Sequence, residues 1–235
     1  MMDYNRKTNF IFAVLAAAAG LLYSIADYLL EYLPGESTVL DKYGAVESAW
    51  EVMHAGRFTA SIALAAMITP FFVAGYICIY KQMQTTHPKY AKGFIAVTLI
   101  GGLSDFFIHA ILCIMPVVYK SVFEISGRTA AVAVLEATEG SFIIPFYVYF
   151  AFIFTGYVLW FVYAFKKNSV YPKWYAWVLL AIILVELICS AFPRLQLISI
   201  GTFSRLEMTF FIFAAVTEYK NMRKSRDATE AYDMK

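Results

Sequence analysis

Of the 235 residues, 61% are hydrophobic and only 15% are charged, against about 25% in soluble globular domains, which places the chain outside the soluble class. The formal net charge of +2 comes from basic residues set singly or in pairs near helix ends, a pattern that excludes a nucleic-acid surface. The expected fold is all-α: one polytopic membrane domain, 1–235, with six transmembrane helices.

An α-helix needs about 20 predominantly apolar residues to cross a hydrocarbon core of about 30 Å. The first such run, 10–33, follows Arg6 and Lys7 but exceeds the apolar core of a signal peptide. It ends in Asp27-Tyr-Leu-Leu-Glu31 rather than at a small-residue cleavage site, so it reads as a retained helix. Segment 43–57 then spaces Val46, Trp50, Met53 and Arg57 about one turn apart, with Glu47, Glu51 and His54 beside them. It is expected to be amphipathic, lying in the interface or extending the second helix, with Trp50 as a headgroup-level anchor. The second span is 58–81, and the third, 92–117, carries Asp105 and His109. Segment 124–140 is a second interfacial stretch ahead of the fourth span, 141–165. The fifth, 174–193, holds Glu186, and Arg194 follows Pro193 in a loop. The sixth, 200–218, holds Arg205 and Glu207, and a polar tail, 219–235, follows.

Lys and Arg in short loops set orientation. Arg6 and Lys7, then Lys81, Lys89 and Lys92, then Lys166, Lys167 and Lys173, then Lys220, Arg223, Lys224 and Arg226 all fall on one side of a six-helix chain. Both termini are therefore expected in the cytoplasm, with the protein in the plasma membrane of a prokaryote. Cys78, Cys113 and Cys189 all lie within spans, where thiols pack as small hydrophobes, so no disulfide framework is indicated.

Shifting the chain by 81 residues against itself places 70–110 over 151–191 with nine identities, among them Gly75 on Gly156, Tyr76 on Tyr157 and Lys92 on Lys173. The shift also sets Asp105 over Glu186. One reading is three tandem two-helix hairpins, 10–81, 92–165 and 174–218, related by an axis along the membrane normal. The alternative is chance similarity between apolar helices.

Ionisable groups in lipid cost about 2.5–3.5 kcal/mol each even on insertion scales, so they face one another or a wet cavity. Asp27 with Glu31, Asp105 with His109, and Glu186 with Ser190 each repeat the i, i+4 spacing that shares a helix face. All of these acids, with His54, Arg57, Glu136, Glu139, Arg205 and Glu207, are expected in the outer half, leaving the inner half to Phe, Tyr, Leu and Ile. Asp105 and His109 are the candidate acid–base pair, because a carboxylate that orients an imidazole suits it to proton transfer. Asp27, Glu31 and Glu186 would tune that pair. The same Asp–His spacing is compatible with a metal, although the sequence names neither metal nor cofactor. Arg57 and Arg205 are candidate anion clamps, with His54 and Trp50 at the rim. Tyr23, Tyr28, Tyr147 and Tyr149 lie deep enough to line a pocket for a greasy ligand.

There is no Gly-x-Ser-x-Gly elbow, no phosphate-binding Gly-rich loop, no His-Glu-x-x-His and no lysine in the sixth span for a retinal Schiff base. Three readings remain. The first is a membrane enzyme that acts on a lipid or amphiphilic small molecule by acid–base chemistry. The second is a transporter, binding protein or sensor that uses the same acids, and the third is a structural partner whose charges specify helix pairing. Membrane lipids are the expected partners, and the sequence does not set the oligomeric state.

Overall fold

The computed structural model describes residues 5–33, 35–192, 198 and 200–233, so Arg194 lies outside the described residues. Helix α1, Arg6–Glu31, starts where the Asn5 side chain accepts the Thr8 amide. It buries a stripe of small residues, Ala13, Ala16, Ala19, Gly20 and Ala26, at helical spacing. Small residues let helix backbones approach closely, which is how helices pack in a medium as apolar as their own side chains. Helix α2, Gly56–Gln84, carries Pro70 and buries Phe58, Ser61, Phe72, Gly75, Tyr76 and Gln82.

The next helical stretch, Pro88–Ala164, runs for 77 residues but is broken at Gly127, where φ is 79° and ψ is 175°. A side chain would be strained there, whereas glycine is not. The break separates α3 (88–126) from α4 (128–164), each on the order of 55 Å long at about 1.5 Å per residue. Both are longer than the roughly 30 Å that a hydrocarbon core would require. Helix α5 is Lys173–Ala191, and α6 is Thr202–Asp233.

Among the described residues four helical stretches, Arg6–Glu31, Gly56–Gln84, Pro88–Ala164 and Lys173–Ala191, are long and apolar enough to cross a membrane, and the third contains two of the expected spans. Helix α6 is not among them. It packs against α1, α2 and α5 and buries Ser204, Glu207, Thr217 and Glu218, so its apolar character is diluted by the polar groups it carries into the interior. The result is an all-helical protein with long apolar helices compatible with a membrane protein.

The two expected interfacial segments take other forms. In the first, Ser48–Glu51 is a short 3-10 turn, residues 56 and 57 open α2, and Val39 bridges Glu47. Asp41 turns the chain by accepting the amides of Tyr43, Ala45 and Val46 at 2.8, 3.0 and 2.6 Å. Val46, Trp50 and Met53 then pack on Tyr119, Ala131 and Leu135, forming a second small core over the bundle end. Trp50 is thus buried edge-on to Tyr119, at 5.9 Å, instead of anchoring at a lipid headgroup. The second segment is continuous helix on either side of Gly127. Glu51 fastens this cap by accepting Arg128 twice, at 2.8 and 2.9 Å, and the Tyr119 hydroxyl at 2.9 Å.

The opposite, tail end is not purely apolar. The Gln82 amide donates to Glu218 and to the Ala214 carbonyl, both at 2.9 Å, while the Tyr171 hydroxyl donates to Gln82. Gln82, Glu218 and Asn9 are all buried. This network departs from the expected dry half, because it is built largely from uncharged polar groups that a search for charges passes over.

Candidate functional site

Just below the cap, α1, α3, α4 and α6 enclose a cavity of about 270 Å³. Asp27 and Glu31 reach it from α1, Asp105 and His109 from α3, Tyr149 from α4, and Ser204 and Glu207 from α6. Four of the five expected catalytic residues therefore converge. The i, i+4 spacing did this on α1 and again on α3, and the close approach of the helices brought the two pairs together.

His109 occupies the centre, only 4% exposed. Its Nδ1 lies 3.3 Å from the Asp27 carboxylate and its Nε2 lies 2.8 Å from the Ser61 hydroxyl. Ser61 has one proton and places it on the Ala26 carbonyl at 2.7 Å. Nε2 must then be the donor to Ser61, and an Nδ1 facing a carboxylate must carry a proton too. His109 is thus read as an imidazolium paired with Asp27, which also accepts the Ser204 hydroxyl. Asp105 accepts the Tyr149 hydroxyl at 2.7 Å, and Glu207 accepts the Tyr76 hydroxyl. Asp105 is partly buried and lines the cavity, whereas Asp27 and Glu207 are buried. Glu31, exposed at the end of α1, stands at the mouth. Tyr23 packs edge-on to His109, at 5.1 Å, and Phe146, Phe150 and Phe203 complete the walls.

The other expected residues lie elsewhere. Glu186 is bound to Arg205 at 2.7 Å, and Arg205 also donates to the carbonyls of Ile198 and Ile200. The Arg57 guanidinium donates to the carbonyls of Tyr28, Leu29 and Tyr32 at the end of α1, where the last carbonyls of a helix run short of intrahelical partners. His54 is exposed and accepts the Gly56 amide at 3.0 Å. None of these four lines the cavity, and neither does Trp50. Conversely, Glu207, Ser204, Ser61 and Tyr76 received no role from the sequence. Glu207 was visible as an acid within a span, but the other three look like ordinary helix residues. No group of three or more His, Cys, Asp or Glu among the described residues is placed to hold a metal ion.

In the cap, Glu139 is buried beside Asp41, and burial first, then the neighbouring Asp41 and Glu136, push its carboxyl from 4.5 up to about 7, with Lys42 opposing. Burial would also raise Asp41, but the amides it accepts outweigh that and hold it below the ordinary range. A carboxyl raised in the folded state favours folding most while protonated, so docking of the 35–46 loop is strongest near pH 4.5 and weakens as pH rises through about 7. Hydrogen exchange at the Tyr43, Ala45 and Val46 amides, corrected for intrinsic rates, is expected to be faster at pH 8 than at pH 5. Glu139→Gln should flatten that difference.

No curated protein and no solved structure matches the chain. A family model matches residues 2–226, and the chain therefore belongs to that family, the family of unknown function DUF6796.

Proposed function

We propose that this protein is a membrane-embedded binding protein whose cavity takes a small organic cation, a primary or substituted ammonium group. One observation carries the reading: four carboxylates, Asp27, Glu31, Asp105 and Glu207, face one histidine in a single aromatic-walled cavity. With Asp27 matched by His109, the other three lack a protein cation among the cavity's lining residues. Glu207 is buried and Asp105 partly so, and a carboxylate withdrawn from water requires a proton or a positive partner, while the exposed Glu31 adds negative charge at the mouth. An ammonium ion supplies that charge, and the rings of Tyr23, Tyr149, Phe146 and Phe150 suit its face by cation–π attraction. Because both nitrogens of His109 are engaged, this geometry favours binding over acid–base turnover.

In this reading six helices cross the bilayer, the basic tail end faces the cytoplasm and the cap faces outward. The buried Gln82, Glu218 and Asn9 favour a second reading of the same site, that of a carrier, because they offer polar lining at the tail end in another conformation.

The test is propylammonium titrated onto the purified protein in phosphatidylcholine nanodiscs, followed by ligand-observed NMR, with propanol as the neutral counterpart. Saturable binding of the amine and none of the alcohol is expected. Equal binding of both, or of neither, would overturn the proposal.

A further inference from the structure

Beside the polar cavity lies a second and larger one, a groove of about 610 Å³ between α4, α5 and α6. Its walls are apolar along most of their length: Phe154, Val158 and Phe161 from α4, Leu180 and Ile183 from α5, and Leu206 from α6. Phe154 and Val158 are exposed, so the groove opens on the surface that faces lipid in the membrane reading. Thr202 and Phe203 line the groove and the polar cavity alike. The Phe203 ring stands edge-on to Phe150 at 5.1 Å, and the two spaces meet at that ring.

We infer that the ligand is a single-chain cationic amphiphile, with its ammonium head among Asp105, Glu31 and Glu207 and its alkyl chain laid past Phe203 into the α4–α5–α6 groove. The inference rests on the reading above for the head and adds the chain. Two observations select this occupant over an ordinary membrane lipid. The polar cavity is acidic, so it repels the phosphate of a phospholipid headgroup and attracts a lone amine. The two spaces share walls, so one molecule can occupy both. The groove also falls in the usual size range for a ligand pocket, about 300–1,000 Å³.

Within a bilayer the chain gains little by leaving one apolar medium for another, so affinity resides in the head and the groove sets which molecules fit. Chain length is therefore a poor probe, because longer amines simply partition into lipid. Placement is the better readout. The experiment uses the full protein in phosphatidylcholine nanodiscs with a dodecylamine that carries a diazirine in mid-chain, and its dodecanol counterpart with the same diazirine.

On irradiation the amine probe is expected to label α4 and α5 between 154 and 161 and between 180 and 187, as mapped by peptide mass spectrometry. Excess propylammonium should reduce that labelling at least tenfold, and the alcohol probe should label at least tenfold less. Ile183→Trp, which fills the groove, is expected to remove groove labelling while propylammonium binding persists. If both probes label the groove equally and propylammonium does not compete, the groove holds bulk lipid chains and the inference fails while the amine site stands. If propylammonium itself does not bind, the underlying reading fails instead.

Discussion

Asp105→Asn is expected to weaken propylammonium binding about ten- to a hundredfold while the protein folds as before. The substitution keeps the side-chain shape and the oxygen that accepts the Tyr149 hydroxyl, so the local packing has no reason to move. What it removes is the negative charge of a side chain that lines the cavity without a cation of its own. A hydrogen bond to a charged group is worth about 1.5–3 kcal/mol, which corresponds to that range of affinity. Asp27→Asn would be a less clean test, because Asp27 is spent on His109 and Ser204, and its loss would disturb the protein's own ion pair. Glu230→Gln, far out on the α6 tail beside Arg226, is the matched control and should leave affinity unchanged. The measurement is the dissociation constant by NMR titration, with the melting curve as the check on folding. Wild-type affinity in the Asp105→Asn protein would remove the cavity carboxylate from the argument.

The residues that sequence reasoning found and missed share a physical logic. Asp27, Glu31, Asp105 and His109 were legible because an acid inside an apolar run is costly, and helical spacing then says which of them share a face. Their meeting across α1 and α3 was not legible, since it depends on which helices become neighbours. Glu186 illustrates the difference. It has the same local signature as Asp105 and superposes on it at a shift of 81 residues, yet it lies at the groove against Arg205. Depth in the membrane was equally readable for Tyr23, Tyr28, Tyr147 and Tyr149, but facing was not. Tyr23 and Tyr149 are buried at the cavity, whereas Tyr28 and Tyr147 are exposed. Arg57 owes its position to α2 packing beside the end of α1, and Trp50 to the 35–55 loop folding back over the helix ends, non-local events that a periodicity of apolar residues does not describe.

The largest structural effect is expected at Gly20, where α1 meets α6 with nothing between the backbones. A Cβ placed on Gly20 would sit 2.7 Å from the Met208 Cβ and 2.9 Å from the Met208 Cα. Neither atom can swing aside by changing a rotamer, so the helices themselves must separate. Gly20→Val should therefore destabilise the protein by about 3 kcal/mol, the upper part of the usual range for overpacking a tight interior. The displacement would be felt two turns along at Asp27, whose bond to Ser204 ties the same two helices together. Loss of propylammonium binding should accompany the loss of stability, even though residue 20 does not line the cavity. Gly93 provides the contrast, because a Cβ there meets no atom within 4 Å and the residue lies inside α3. Gly93→Ala should be neutral or stabilising by up to about 1 kcal/mol, since alanine favours the helix and nothing opposes it. Equilibrium unfolding in mixed detergent micelles measures both variants against wild type. A Gly20→Val protein as stable as the Gly93→Ala protein would mean that α1 and α6 do not pack along this seam, and the cavity built on that seam would have to be redrawn.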